Sequence, residues 1–313
     1  MKNSQKLTRR EFHARAAAGL ALLSGGAQAQ ARGSGPYVDV HTHLGMEWGD
    51  RPALTVELLL EWMDSKNVSQ AVVLPLISPE AWDHPISTDY VLKKTAAHRD
   101  RLIPFCSIDP RTTNLSRYEL IVNLLRAYQD AGARGFGEHK PGVPIDHPNN
   151  VELFAACAEV GLPVLFHLDT IRNTDQPGLP GLARVLEQVP DGVFIGHAQG
   201  WWASIDGGVG AADLQRYPNS KVEAGGALDA LMDRFPNLYG DLSAGSGANA
   251  IARDREFGRA FLIRRQDRLL FGTDYLAPGQ EVPQFELYES LDLPDSVKAK
   301  IFRENARRVL RLA

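Results

Sequence analysis

The sequence predicts a single α/β domain, a closed (β/α)8 TIM barrel, and three observations carry that prediction. Apolar strand-like runs and amphipathic helix-like stretches alternate after residue 36 with a period of about thirty residues, as βα units wound into a parallel sheet do. The runs are apolar nearly throughout, the pattern of strands covered on both faces. Polar side chains able to bind a metal stand at the ends of the runs, and in a closed barrel the C-terminal strand ends converge on one mouth. A chain of 313 residues with 44% hydrophobic and 23% charged composition can fill one large core of this kind.

The first strand is expected at residues 37–41, a β-branched run leading into His41-Thr42-His43. On a regular strand, positions i and i+2 face the same side, so the two imidazoles would point together into the barrel mouth. Thr55 is a good N-cap for a helix that carries Leu58, Leu59, Trp62 and Met63 at helical spacing. Strand two is expected at 70–76 and its helix at 87–98, strand three at 102–108 and its helix at 114–130. The glycine-rich run 133–138 makes strand four and ends on Glu138, followed by a helix at 150–160 that Gly161 stops. Strand five (163–167) ends on His167 and strand six (192–197) on His197, with a helix at 182–189 between them. Residues 201–219 have no clear period and read as a long loop over the mouth. A helix at 221–235, strand seven at 237–242, a helix at 251–264, strand eight at 268–274 and a last helix at 295–312 complete the barrel.

Residues 1–31 are set apart from this fold as a removable export signal. Thr8-Arg9-Arg10-Glu11-Phe12 has the form of a twin-arginine motif, and an alanine- and leucine-rich run at 14–23 and a small-residue end, Ala27-Gln28-Ala29 or Ala29-Gln30-Ala31, follow it. The run is too short to span a membrane. The expected mature domain is 32–313, periplasmic and without a membrane span. Loss of Lys2, Lys6, Arg9, Arg10 and Arg15 against Glu11 would take the formal charge from −4 to −8. Such an acidic chain is no nucleic-acid binder; its expected partner is a small-molecule substrate, and a homo-oligomer stays open. Cys106 and Cys157 are too few for a disulfide framework and read as small buried residues.

His41, His43, Glu138, His167, His197 and Asp274 form the candidate metal-binding set. Glu138, His167 and His197 are spaced by one βα unit each, so all should reach the same mouth. Imidazoles mixed with carboxylates favour a first-row transition metal over magnesium or calcium, which prefer oxygen alone. Lys140 shares the strand parity of Glu138 and competes with it for the site, Glu138 being favoured as ligand and Lys140 as a partner of a substrate or carboxylate; His139 has the opposite parity and should face the helices or the rim. Arg172, five residues past His167, could contact a substrate carboxylate. Trp201 and Trp202 could wall the pocket or clamp their loop to the barrel, Trp48 and Trp82 less so. Asp241 could be a further carboxylate at the mouth or could support a histidine from behind.

These residues resemble the amidohydrolase superfamily of metal-dependent barrels, in its amidohydrolase-related branch, which holds both hydrolases and nonoxidative decarboxylases. The likeness rests on Asp39-Val40-His41-Thr42-His43, the strand-ending His167 and His197, Gly272-Thr273-Asp274-Tyr275 and the closing stretch at 301–310, and it covers essentially the whole mature chain. It implies that His41, His43 and Asp274 hold a first ion, and that His167 and His197 hold a second if there is one, bridged from strand four. One or two divalent transition ions follow, zinc first among them. It implies too that Asp274 is the catalytic proton carrier. The expected activity is a metal-dependent hydrolase that cleaves an ester, lactone, amide or related bond with a metal-activated water. The alternatives are a nonoxidative decarboxylase and, outside enzymes, a periplasmic binding barrel. Glu138 inclines the sequence reading to hydrolysis, because a strand-four acid gives two ions something to share.

Overall fold

The computed structural model describes residues 35–47, 49–112 and 118–312; the export signal, Trp48 and the expected start of the third helix lie outside them. Eight strands follow in order: β1 (Tyr37–Thr42), β2 (Val68–Val73), β3 (Leu102–Pro104), β4 (Phe136–His139), β5 (Val164–His167), β6 (Phe194–His197), β7 (Leu238–Asp241) and β8 (Leu269–Leu270). Every neighbouring pair is parallel, in one sheet of β1–β3 and one of β4–β8. The ring closes through the parallel bridges Cys106↔Phe136 and Thr42↔Tyr275. At the second seam Val40 N donates to Phe271 O at 3.0 Å and Asp274 N to His41 O at 2.8 Å.

Two apolar shells hold the barrel, as the unalternating strands require. Val38, Val40, Val72, Leu74, Ile103, Phe105, Leu165, Ile195 and Leu270 fill the lumen, and Ala306 and Leu310 of the last helix plug its lower end. The opposite strand faces pack against the helices in a larger cluster that includes Phe136, Phe154, Phe166, Phe194 and Phe271. With the lumen plugged below, polar side chains can meet only at the upper mouth.

Most helices lie where the sequence places them, and the departures have local causes. The expected helix at 221–235 begins only at Ala227 (Ala227–Arg234), since Gly225 takes a positive φ of 96° that ends any regular approach. The expected 251–264 helix is two, Ala244–Ala252 and Arg255–Arg264, because Asp254 caps the second by accepting from Phe257 N at 3.2 Å. The last helix is interrupted: Asp295–Ala299 and Asn305–Leu310 are joined by a wide turn at Lys300–Glu304. Cys106 and Cys157 are buried free thiols. Among the described residues, no helix is long and apolar enough to cross a membrane.

Candidate metal centre

Two irregularities in strand register aim the site. In the lower part of β1 the lumen side carries Val38 and Val40, which by simple alternation would leave His41 outside. The pairing with β2 shifts between Asp39 and Thr42, and beyond the shift His41 and His43 face the mouth. β4 shifts likewise between Phe136 and His139. There Glu138 turns inward, while His139 turns outward to place Nε2 2.8 Å from Asn150 Oδ1 and its ring beside Phe154. β5, β6 and β8 need no such device, since Leu165 and His167, Ile195 and His197, and Leu270 and Asp274 keep alternation.

The inward side chains form one buried cluster. His41 Nε2 and His43 Nε2 lie 3.1 Å apart. Asp274 Oδ1 is 3.4 and 3.5 Å from these two nitrogens, and Glu138 Oε2 is 3.7 and 3.4 Å from them. The other oxygen, Glu138 Oε1, is 2.8 Å from His167 Nδ1 and 3.7 Å from His197 Nε2. Glu138 therefore sits between two histidine pairs, one oxygen toward each. The Asp274 side chain is 22% exposed where those of His41, His43 and Glu138 are at most 1%, so the cluster opens to solvent on the Asp274 side. Asp274 itself adopts a left-handed backbone, φ 58°, which an aspartate tolerates better than most residues.

The hydrogen bonds behind the histidines decide which nitrogen each turns inward. His43 Nδ1 lies 3.0 Å from Leu74 O, which can only accept, so Nδ1 carries the proton and Nε2 the lone pair. His41 Nδ1 is 2.7 Å and His197 Nδ1 3.1 Å from Asp241 Oδ2, which Ser243 Oγ also reaches at 2.7 Å. Burial opposes ionisation of Asp241, yet His41 and His197 hold its carboxyl far below the usual range. Two inward lone pairs 3.1 Å apart repel unless a cation lies between them. Ligands 2.0–2.1 Å from a zinc-sized ion stand about 2.9–3.4 Å apart, so the spacing fits a shared divalent ion. The electrostatics agree: burial drives the His41 pKa down, but Asp274 and Asp241 outweigh it and raise it well above the ordinary histidine value. His41, His43 and Glu138 can hold an ion together, as can Glu138, His167 and His197.

The sequence profile of the amidohydrolase family matches residues 38–312, the whole barrel. The chain belongs to the amidohydrolase family. Solved structures repeat the fold at low identity. An uncharacterised TIM-barrel protein of Bordetella bronchiseptica is 18% identical, with a TM-score of 0.63 over 88% of this chain and 98% of its own. A dihydroxybenzoic acid decarboxylase of Polaromonas with bound manganese is 16% identical, with a TM-score of 0.56 over 89% and 97%. A probable 2-pyrone-4,6-dicarboxylic acid hydrolase of Acinetobacter baumannii is 13% identical, with a TM-score of 0.55 over 88% and 99%. No curated protein matches the sequence. The family is one of metal-dependent enzymes, and the donor cluster suits a divalent ion.

This amidohydrolase barrel brings all six expected metal-binding candidates into the cluster and sorts the rest. Glu138, not Lys140, reaches the histidines; Lys140 Nζ stays 3.2 Å away, paired to Glu138 Oε2, with its side chain 15% exposed. Arg172 is not free to meet a substrate as expected, since Nη1 donates to Asp169 Oδ2 at 2.7 Å and Nε to Glu80 O at 2.8 Å. Trp201 and Trp202 do not wall the pocket. Both are buried on and beside the short helix Gln199–Ala203, Trp201 against Gly196, which has no room for a Cβ, and Trp202 with Nε1 donating to Asp241 O at 2.8 Å. With neither ring exposed, they pin the loop onto the barrel. Sequence reasoning missed Asp169 and Ser243, which touch His167 and His197. The signal was available: Asp169 stands two positions after a strand-ending histidine, and Ser243 two after Asp241.

Proposed function

We propose that this amidohydrolase is a metal-dependent decarboxylase of a small aromatic or unsaturated carboxylic acid. The observation that carries the reading is the Lys140 ammonium beside Glu138 at the edge of the cluster, a fixed positive charge where a substrate carboxylate would enter past Asp274. Supporting it, several structural neighbours are named decarboxylases, of 2,6-dihydroxybenzoate, dihydroxybenzoic acid and 5-carboxyvanillate, two of them with manganese. A divalent ion, manganese or zinc, held by His41, His43 and Asp274 would draw electron density from the substrate oxygens. Lys140 holds the carboxylate. The carbon–carbon bond would break with its electron pair left on the substrate carbon and carbon dioxide leaving, and Asp274, which can take up a proton from solvent on its exposed side, would pass that proton to the carbon.

Hydrolysis is the second reading, and Glu138 favours it. With one oxygen toward each histidine pair, it could hold two ions that share a water, with Asp274 as base. Manganese-loaded protein offered hydroxybenzoates beside lactones and esters separates the two: carbon dioxide release supports the first, acid release without carbon dioxide the second. The twin-arginine motif at Arg9 and Arg10 supports export of the folded enzyme to the periplasm as part of the same proposal. A signal-dependent fractionation, with Arg9 and Arg10 both replaced by lysine, should trap it in the cytoplasm.

A further inference from the structure

We propose that the lower end of the barrel, opposite the metal centre, carries a second binding site, for a small organic dianion held by Arg99, Arg134 and Arg311. Among the described residues a cavity of about 480 Å³ lies there, between β2, β3, the turn before β4 and the residues that follow the last helix, large enough to take a small molecule. The three arginines line it against one acid, Asp100. The protein as a whole has a formal charge of −4, so this concentration of positive charge runs against the bulk.

None of the three guanidiniums is neutralised. Arg99 spends Nη2 on two carbonyls that close helices, Leu92 O at 3.1 Å and Ala131 O at 2.9 Å, and its buried Nη1 has no acceptor among the described residues. Gly132 makes room for this group: it takes a positive φ of 109°, and a Cβ there would collide with the guanidinium. Arg134 and Arg311 are exposed and form no ion pair among the described residues. Arg101, two positions from Arg99, shows the usual alternative, pairing with Asp64 at 2.8 Å. Burial lowers the Arg99 pKa and the nearby Arg134 charge lowers it further, so the two cations repel. An anion bound to both would relieve that repulsion.

Apolar side chains supply the wall, among them Ile103, Pro104 and Leu312. Ile103 belongs to the packed lumen and Leu312 lies against it, so this wall is part of the barrel and not a loop. Three cations against one acid leave a surplus of two positive charges, which sets the charge of the ligand. The apolar wall adds an organic body, and the guanidinium fork matches carboxylate and phosphate oxygens alike.

Calorimetric titration of the metal-loaded full chain at neutral pH tests the site with two probes: phthalate, two carboxylates on an apolar body, and inorganic phosphate, the charge alone. Expected is saturable phthalate binding with Kd below about 1 mM, tighter than that of phosphate. An Arg134→Gln/Arg311→Gln double variant should bind phthalate about 10–100-fold more weakly. Asp100→Asn, which removes the opposing charge, should bind it about 2–5-fold more tightly, a gain that damage to the fold does not produce. Absence of saturable binding, phosphate held as tightly as phthalate, or equal phthalate affinity in wild type and double variant would each overturn the proposal, the last by placing the anion at the metal centre. If the double variant fails to fold, Asp100→Asn still decides, since unchanged or weaker binding there contradicts the site.

Discussion

Asp241 Oδ2 lies 2.7 Å from His41 Nδ1, with neither side chain exposed to solvent. The contact sets the whole cluster, since it makes His41 turn Nε2 toward His43 and Asp274. Replacing Asp241 with asparagine puts a donor or a weaker acceptor at that point and disturbs His197 as well. Divalent-ion affinity, followed by titration calorimetry, should fall by about 10–100-fold. Unchanged affinity would show that the imidazoles are held by packing alone.

Asp274 is the carboxylate that meets both the β1 histidines and solvent. Burial opposes its ionisation, but His41 and His43 hold its pKa below the ordinary carboxylate value, so it is ionised at rest and must take up a proton from solvent before it can deliver one. Asp274→Asn should lower turnover by at least about 100-fold while leaving the thermal unfolding midpoint nearly unchanged. A variant that keeps its rate would remove Asp274 from the chemistry.

Lys140 distinguishes a carboxylate-bearing substrate from a neutral one. Removal of its charge in Lys140→Met should raise KM for an acidic substrate about 10–100-fold, the worth of one charge-assisted hydrogen bond, with a smaller change in kcat. Equal KM values for wild type and variant would assign Lys140 only to Glu138.

His139 supplies a pH dependence separate from the reaction. Complete burial pushes its pKa down from 6.5 to about 4, while the Asn150 contact works the other way. The folded state thus binds fewer protons than the unfolded one between these values. The stability this represents is present above 6.5 and drains away as pH falls toward 4, up to about 3 kcal/mol in all. Urea unfolding of metal-free protein at several pH values should show that loss, and His139→Gln should show less of it.

Much of this site is legible in the sequence, for a physical reason. A strand buried on both faces has few places for a polar residue, so His167, His197 and Asp274 stand out as terminators of apolar runs. Parity is the weaker guide. Parity gives only relative directions, His41 with His43 and Glu138 against His139; which of these faces the mouth is set by the register shifts in β1 and β4, which alternation from Val40 and Phe136 does not foresee. Trp201 and Trp202 are ambiguous in sequence because a loop tryptophan is apolar whether it walls a pocket or pins the loop. Only the contact with Gly196 and the bond to Asp241 O decide between these. Arg172 is ambiguous in sequence because one of its partners, Glu80 O, comes from a distant loop, while the other, Asp169, stands three residues before it.

The central claim is that His41, His43, Glu138, His167, His197 and Asp274 form a metal centre. Metal analysis of the purified protein by mass spectrometry, wild type beside a His41→Ala/His43→Ala double variant, tests it most directly. The account predicts about one or two equivalents of divalent transition metal in the wild type and a clear loss in the double variant, both folded. Folded wild-type protein that carries no such metal, and takes none up when it is supplied, would contradict it.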